Sequence, residues 1–274
     1  MRLLKKAHNY LFEFPPLKRV PGLTHAVVSR LGGVSPPPFD GMNLSSGVGD
    51  DPDGVNANRA ALQRLVGGIH VYSRQNHGTA MTVVTREILG DPAAPIQTMP
   101  QTADALISDV PGVRLLIQTA DCQAVILVDP QKRVVANVHN GWRGSVANII
   151  GRTVRQMVAA FGCDPDRMLA AIGPSLGPCC AEFVNYRSEI PEALWPFRMG
   201  RHHFDFWRIS RHQLIAAGLC AAHVHAAQVC TRCNPHLFFS YRAARRTGRF
   251  ATLVGLDTPG TAGARVGSGD CVGP

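Results

Sequence analysis

Three short apolar runs follow one another closely near the middle of the chain, at residues 113–118, 124–128 and 134–138. They are rich in β-branched side chains and too short for typical helices, so they predict strands that are buried on both faces of a sheet. Polar residues follow two of these runs, Thr-Ala-Asp-Cys at 119–122 and His-Asn-Gly-Trp-Arg-Gly at 139–144. Because buried polar groups need partners, this region predicts a functional site as well as the centre of the fold.

The rest of the chain indicates one large core built from both helices and strands. Apolar residues recur at helical spacing within 55–66, 145–161 and 207–217, which predicts amphipathic helices beside the strands. The 274 residues are 45% hydrophobic, and no internal repeat or linker divides them. We therefore predict a single α/β (α+β) catalytic domain over residues 23–257, with an irregular N-terminal arm at 1–22 and a flexible Gly-rich tail at 258–274.

The net charge of +9 raises the question of a nucleic-acid partner. The basic residues are scattered apart from a group at 242–249, and no nucleic-acid-binding motif accompanies them, so we expect a small anionic partner and no nucleic acid.

No uncharged apolar run reaches the roughly 18 residues of a membrane span, and no secretory signal is evident, so we expect a cytoplasmic protein with reduced cysteines and no membrane contact. No heptad pattern or repeated apolar face is present, so we also expect a monomer.

One cysteine and two histidines are candidates for a metal site. Cys122 and His139 stand next to the ends of predicted buried strands, and His77 lies in a loop predicted at 74–79. Two imidazoles and one thiolate suit Zn²⁺, which keeps a fourth position for water or substrate and lowers the pKa of bound water. Asp121 and Asn140 are adjacent to the ligands and could orient them or handle protons.

Three other interpretations of these residues remain open. Cys122 and His139 could be the nucleophile and general base of a hydrolase, with Asp121 nearby. Copper could occupy the site, because two histidines and a cysteine are also the equatorial ligands of blue-copper centres. Alternatively, Cys122 is only a small buried residue and His77 only a surface residue.

A second group of cysteines gives a weaker signal. Cys230 and Cys233 have the CxxC spacing and could combine with Cys179 and Cys180 in a structural zinc site. The second pair is adjacent in sequence, which is poor geometry for two ligands of one ion, so this pattern only weakly favours zinc.

Candidate substrate contacts lie in the loops around these ligands. Ser29 and Arg30 precede a glycine- and proline-rich segment, where tight turns are the simpler interpretation and a ligand-binding pocket is the alternative. Ser145 is expected to cap the helix that ends at Phe161. The free backbone amides in the first turn of this helix, together with Arg143, could bind a phosphate near the metal.

Several motifs occur in order over nearly the whole chain. They are Ser-Arg-Leu-Gly-Gly-Val-Ser at 29–35, Asn-Leu at 43–44, Gln-Asn-His-Gly at 75–78, Ala-Asp-Ala-Leu at 103–106, Thr-Ala-Asp-Cys at 119–122, His-Asn-Gly-Trp-Arg-Gly at 139–144, Ile-Gly-Pro at 172–174, Gly-Pro-Cys-Cys at 177–180, Phe-Phe-Ser-Tyr-Arg at 238–242 and Thr-Gly-Arg at 247–249. Through them the chain resembles the YfiH-type family, known as polyphenol oxidase or laccase-domain proteins and as purine nucleoside phosphorylases. Asn76 and Asn140 depart from the family pattern and could alter the pocket.

The resemblance implies a single CNF1/YfiH-like domain with mixed β-sheets sandwiched between helices, and a catalytic zinc on His77, Cys122 and His139, with copper as the alternative metal. It implies phosphorolysis of adenosine, inosine or methylthioadenosine, and deamination of adenosine, so that a purine nucleoside and phosphate are the expected partners. The expected catalytic residues are Cys122, Asp121 and Arg143, and the expected substrate and phosphate contacts are Ser29, Arg30, Asn43, Arg143, Ser145 and Arg242.

The resemblance also leaves other functions open. Some relatives are described as editing factors that hydrolyse an amide in a mis-made peptidoglycan precursor. A copper-dependent, laccase-like oxidase is less consistent with the sequence, because only His223 and His225 have the His-x-His spacing of multicopper sites. A non-catalytic copper- or zinc-binding protein is the third alternative.

Overall fold

The computed structural model describes residues 1–6, 9–91 and 93–258. Its strands, in chain order, are β1 Arg2–Lys6, β2 Asn9–Glu13, β3 Leu23–Val28, β4 Ile69–Arg74, β5 Met81–Val83, β6 Ile96–Thr102, β7 Ala105–Ser108, β8 Val113–Thr119, β9 Gln123–Asp129, β10 Val134–Asn140, β11 Leu169–Ile172, β12 Arg198–Met199, β13 His203–Phe204, β14 Val224–Ala226 and β15 Phe250–Leu256. Its α-helices are α1 Pro15–Lys18, α2 Pro52–Val66, α3 Trp142–Val146, α4 Ile149–Phe161, α5 Tyr186–Glu189 and α6 Phe206–Ala216, with short 3-10 helices at Pro165–Arg167, Glu192–Phe197 and Ala221–His223.

Most strands of the described residues belong to two mixed sheets. The seven-stranded sheet has the order β1-β2-β3-β15-β8-β4-β6, and the six-stranded sheet has the order β14-β11-β9-β10-β7-β5. The pairs β4 with β6, β4 with β8, β5 with β7 and β11 with β14 are parallel, and the other pairs are antiparallel. Strand β8 lies inside the seven-stranded sheet, and the next two strands of the chain, β9 and β10, lie at the middle of the six-stranded sheet.

The two sheets pack face to face around the main core. Val27 and Leu115 of the seven-stranded sheet share this core with Ile126 and Val135 of the six-stranded sheet. Because the inner faces are covered by each other, both central sheets exclude water on that side, and burial of apolar surface there is the main stabilising contribution.

Helices cover the outer faces of both sheets. Val154 of α4 and Leu214 of α6 pack on the outside of the six-stranded sheet. Leu62 of α2 packs on the outside of the seven-stranded sheet, beside Leu116. Strands β8 to β10 are therefore covered on both faces, which explains their nearly continuous apolar sequences. The chain is a single mixed α/β domain with sheets sandwiched between helices, as predicted.

The structure differs from the prediction at the N-terminus. Residues 1–22 were expected to form an irregular arm, but β1 and β2 form a hairpin, and β2 extends the seven-stranded sheet by pairing with β3. Leu11 and Phe14 are buried there. Local sequence gives little sign of this, because β2 joins the sheet by pairing with β3, which lies farther along the chain. The boundaries of the predicted domain stay a prediction, and residues 259–274 of the predicted tail lie outside the described residues.

Three other segments also differ from what their sequences predict. The proline and polar residues at 91–101 favour a loop, yet Ile96–Thr102 is strand β6. It lies at the edge of its sheet, where a proline such as Pro100 is tolerated. The apolar and aromatic residues at 229–233 and 238–242 favour short strands, but these segments form turns and bends, with an isolated bridge between Ser175 and Cys230.

The predicted helix that starts at Ser145 is divided in two. The short helix α3 begins after Gly141 and contains Ser145, and the longer helix α4 begins after Asn148. Asn148 adopts the left-handed conformation (φ 53°), and its side-chain oxygen accepts the Gly151 N–H at 3.0 Å. Asn148 rather than Ser145 is therefore the N-cap. No helix among the described residues is both long and apolar enough to cross a membrane.

Candidate metal centre

The three predicted metal ligands lie together at one end of the six-stranded sheet. His139 is near the end of β10, Cys122 is in the turn between β8 and β9, and His77 is in the loop between β4 and β5. Their potential ligand atoms all lie within 4.8 Å of one another, and the two imidazole rings meet edge to face with centroids 4.8 Å apart. His139 is buried, Cys122 is half-buried and His77 is exposed, so the cluster opens to solvent on the His77 side.

Asp104 holds both histidines in place. One oxygen of its fully buried carboxylate lies 2.7 Å from Nδ1 of His139 and also accepts the backbone N–H of His77 at 2.9 Å. Its other oxygen accepts the backbone N–H of Gly78 at 2.8 Å. A carboxylate on Nδ1 fixes the orientation of the ring and leaves Nε2 to face an ion, as in many metal sites.

The two loops that carry ligands are held in uncommon backbone conformations. His77 and Asp121 both have positive φ angles, of 63° and 89°. The side-chain amide of Gln75 donates to the Gln118 carbonyl at 2.8 Å and accepts the Gln118 N–H at 2.9 Å. This pair of hydrogen bonds joins the His77 loop to the end of β8, immediately before the turn that contains Cys122. The surrounding contacts hold His77 and Asp121 in these uncommon backbone conformations, as is common at functional sites.

The surroundings of Cys122 and His139 favour a thiolate–imidazolium pair when no ion is bound. Burial acts to raise the pKa of the Cys122 thiol, but the charge and hydrogen bonds of His139 and His77 outweigh it and lower this pKa to about 6. Burial acts to lower the pKa of His139, but the charge of Cys122 and the hydrogen bond with Asp104 raise it to about 9. A cation that replaced the His139 proton would meet one thiolate and two imidazoles.

The space between these ligands suits a metal ion. Gly141 follows β10 at this point, and a Cβ atom added there would lie only 3.0 Å from Cδ2 of His77 and 3.1 Å from Sγ of Cys122. A side chain at position 141 would therefore crowd the ligands. The donor set of one thiolate and two imidazoles fits Zn²⁺, with one coordination position left open, and it also fits copper.

Asp121 lies beside Cys122 in sequence, but its side chain contacts the surrounding loops. Its Oδ1 accepts the Thr231 hydroxyl and its Oδ2 accepts the Arg242 N–H, both at 2.6 Å. Its carbonyl accepts the Leu176 N–H at 2.8 Å. These contacts fix the turn that carries Cys122, and a catalytic role for Asp121 stays a prediction.

Three of the predicted substrate contacts are used within the protein. The fully buried Ser29 donates to the Leu237 carbonyl at 2.8 Å, and the fully buried Asn43 side chain bonds to Asp50 at 2.7 Å. Arg30 pairs with Asp40 at 2.8 Å and lies over the ring of Phe239. All three stabilise loops, so direct contact with a substrate stays a prediction that this geometry does not favour.

The other three predicted contacts differ in their surroundings. Arg143 is exposed, and its guanidinium lies 4.5 Å from the centroid of the Trp142 ring. The exposed Arg242 donates from its side chain to the Glu182 carbonyl at 3.3 Å. Ser145 is fully buried, and its hydroxyl has no hydrogen-bond partner among the described residues. Arg143 is thus the predicted anion contact with the most freedom to meet a ligand.

Two residues that complete this centre were not among the predicted site residues. Asp104 orients the histidines, and the half-buried Arg249 interacts electrostatically with Cys122 and Asp121. The Arg249 N–H also donates to Asn43 at 2.8 Å. Both residues lie in motifs that carry the family resemblance, at 103–106 and 247–249, so the sequence marked them as candidates. Their contacts are revealed only by the folded chain.

Two surface cavities of the described part do not include the metal ligands. A cavity of about 700 Å³ is lined by residues of the 184–188 and 198–202 segments, including Arg187, Arg198 and Arg201. A second, of about 480 Å³, is lined by residues near Arg86 and Phe161. The chemistry of the ligand cluster, rather than cavity size, therefore identifies the candidate site.

Comparison with known proteins identifies the family of the chain. Residues 24–257 match the family described as "Multi-copper polyphenol oxidoreductase laccase". A protein of Xylella fastidiosa named purine nucleoside phosphorylase is 36% identical over 256 residues, which cover 88% of this chain and 94% of that protein.

Two crystal structures share the fold. YlmD from Geobacillus stearothermophilus has a TM-score of 0.81 at 30% identity, covering 93% of this chain and 99% of that one. The hypothetical protein YfiH of Bacillus licheniformis has a TM-score of 0.81 at 25% identity, covering 92% and 97%. The chain therefore belongs to the laccase-like YfiH family.

Proposed function

We propose that this protein is a zinc-dependent purine nucleoside phosphorylase that also deaminates adenosine. The observation that carries the proposal is the convergence of His77, Cys122 and His139, with Asp104 behind the histidines. Relatives named purine nucleoside phosphorylase that cover most of the chain support the substrate class. The proposed substrates are adenosine, inosine or methylthioadenosine, together with phosphate.

The ligand cluster would hold the zinc ion, which supplies a Lewis acid to the reacting groups when bound. Asp104 keeps a proton on Nδ1 of His139, so that the Nε2 lone pair is directed to the ion. The contact between Cys122 and the two histidines keeps the sulfur as a thiolate. These residues act by binding and orientation, and exposed His77 marks the side from which a substrate would enter.

Phosphorolysis also requires groups that bind an anion. In this reaction a phosphate oxygen forms a bond to C1′ of the ribose while the bond from C1′ to the base nitrogen breaks, and the base accepts a proton. Arg143 lies on the segment that follows His139 and is exposed, and Arg249 lies close to Cys122. Guanidinium groups bind phosphate in a two-pronged geometry. We assign phosphate binding to Arg143, with Arg249 adding positive charge behind Cys122.

The test is incubation of zinc-loaded protein with adenosine, with and without phosphate, followed by chromatography of adenine, inosine and hypoxanthine. We expect adenine that depends on phosphate and inosine that does not, and both products should disappear in His139→Ala. His223→Ala is the matched control, because His223 is the last residue of the 3-10 helix before β14 and lies outside the ligand cluster. Activity that survives His139→Ala would contradict the proposal.

One alternative is favoured by a specific observation. The thiolate–imidazolium pair of Cys122 and His139 in the metal-free protein resembles an activated cysteine nucleophile, which supports an amidase that edits a peptidoglycan precursor. The discriminating result is release of an amino acid from such a precursor by protein that turns over no nucleoside. Oxidation of a phenol by copper-loaded protein would instead support the laccase-like alternative.

A further inference from the structure

Four cysteines form a second cluster outside the proposed active site. Cys179 and Cys180 lie in the turn after β11, and Cys230 and Cys233 lie in the turn before Asn234. Their four sulfur atoms all lie within 4.8 Å of one another. The adjacency of Cys179 and Cys180 argued against such an arrangement, but the turn directs both sulfurs to the same point.

The distances between the sulfurs match a shared metal ion better than disulfide bonds. Sγ of Cys233 lies 3.6 Å from Sγ of Cys179 and 3.6 Å from Sγ of Cys180. A zinc–sulfur bond of about 2.3 Å places two sulfurs of a tetrahedron about 3.8 Å apart. A disulfide needs about 2.05 Å. One cysteine that is equally close to two others cannot form disulfides with both.

The backbone around the cluster brings the two cysteine-bearing turns close together. The Thr231 N–H donates to the Ser175 carbonyl at 3.0 Å, and the Ser175 N–H donates to the Val229 carbonyl at 3.2 Å. Gly177 permits the close approach, because a Cβ there would lie 3.0 Å from Cβ of Cys230 and 2.7 Å from the Trp207 ring.

The two turns also contact the turn that carries Cys122. The Thr231 hydroxyl, between the two cysteines of the CxxC turn, donates to Asp121, and the Leu176 N–H donates to the Asp121 carbonyl. Ser175 and Cys230 form a bridge between the two segments. An ion held by the four sulfurs would join these segments covalently in a region that has no regular strand pairing.

We propose that Cys179, Cys180, Cys230 and Cys233 bind one zinc ion as a four-cysteine structural site that fixes the segments supporting Cys122. Binding releases the remaining thiol protons, and no electron transfer is involved. All four coordination positions are filled by protein, so this site has no open position for catalysis.

The first experiment measures metal content by elemental analysis and native mass spectrometry. The intact protein is purified with zinc and without chelators. We expect two zinc ions per chain in the wild type, one in Cys233→Ser and two in Cys220→Ser, where Cys220 is a cysteine outside both clusters. In Cys233→Ser the remaining zinc should still be lost on substitution of His77.

A second measurement does not depend on the folding of a cysteine-cluster variant. Cys122→Ala, which lacks a ligand of the other cluster, is loaded with cobalt in place of zinc. We expect one cobalt with the visible bands of a tetrahedral site and the intense near-ultraviolet charge-transfer band of several thiolates. Absence of these bands, or a mass that corresponds to disulfides among the four cysteines in freshly purified wild type, would overturn the proposal. These measurements do not use nucleoside turnover, so failure of this proposal can be distinguished from failure of the proposed activity.

Discussion

At the scale of single residues, Asp104 connects the parts of the metal centre. Its carboxylate contacts His139 and the backbone of the His77 loop, although these residues are distant in sequence. Burial acts to raise the pKa of Asp104, but the hydrogen bond and charge of His139 and the two backbone donors lower it overall. The group is therefore a carboxylate that orients the candidate metal ligands.

Asp104→Asn should weaken zinc binding by about 10- to 100-fold, as substitution of a ligand-orienting carboxylate does elsewhere. The amide keeps the size of the side chain but loses the negative charge and one acceptor oxygen. Competition with a chromophoric chelator measures the affinity, and Asp109→Asn, at an exposed acidic residue, is the control. Equal affinities for the two variants would show that Asp104 does not orient the ligands.

Cys122 of the metal-free protein should react as a thiolate at neutral pH. Because its pKa is lowered to about 6 from an ordinary value of 9.0, alkylation by iodoacetamide should reach half its maximal rate near pH 6. His139→Ala should move the midpoint to higher pH, because His139 supplies the largest interaction that favours the thiolate. Peptide mapping separates Cys122 from the other cysteines, and a wild-type midpoint near 9 would contradict the assignment.

At the scale of elements, the start of α3 determines the space available for a metal. Gly141 is its N-cap and lies against His77 and Cys122. Gly141→Ala should reduce zinc affinity and activity while leaving the fold intact, because Gly141 has a φ of −73° that alanine adopts without strain.

Gly47→Ala is a suitable comparison for that variant. A Cβ at position 47 meets only Ser45 Oγ, at 3.9 Å, so it should leave zinc binding unchanged. Zinc titration and thermal unfolding of both variants separate an effect on the site from an effect on stability. Tight zinc binding by Gly141→Ala would mean that the ligands can move apart to admit the methyl group.

The elements also explain what the sequence could and could not predict. Strands β8 to β10 were predicted because both of their faces are covered and their composition is apolar. His77, Cys122 and His139 were identified because they follow such strands or lie in distinctive loops. Strand β6 was missed because its proline and polar residues are typical of loops, and its pairing at a sheet edge is a tertiary property.

Contacts between distant segments were the least predictable part of the site. Ser29 donates to Leu237 and Asn43 accepts from Arg249, both far along the chain, and their contact with substrate stays a prediction. Arg249 meets Cys122 only because β15 lies beside β8. The four cysteines converge through two turns whose geometry the spacing of the residues does not reveal.

At the scale of the whole molecule, two buried histidines of the seven-stranded sheet link stability to pH. His70 of β4 is fully buried, and burial lowers its pKa to about 4 from 6.5. His25 of β3 accepts the Phe14 N–H on its Nε2 at 2.9 Å, and burial lowers its pKa as well. Both side chains are thus neutral in the folded protein, and His25 would lose its acceptor nitrogen on protonation.

The free energy of unfolding should therefore decrease as the pH falls below 6.5. Between pH 6.5 and about 4 the unfolded chain binds a proton at position 70 that the folded chain does not. The contribution of neutral His70 to the free energy of unfolding is fully present above pH 6.5. Its loss by pH 4 lowers the free energy of unfolding by at most about 3 kcal/mol. Denaturant unfolding at several pH values should give a shallower decrease for His70→Leu than for the wild type. Metal loss in acid is common to both proteins, so the difference between their slopes of unfolding free energy against pH is due to His70. Identical slopes would mean that His70 is protonated in the folded protein without a loss of stability.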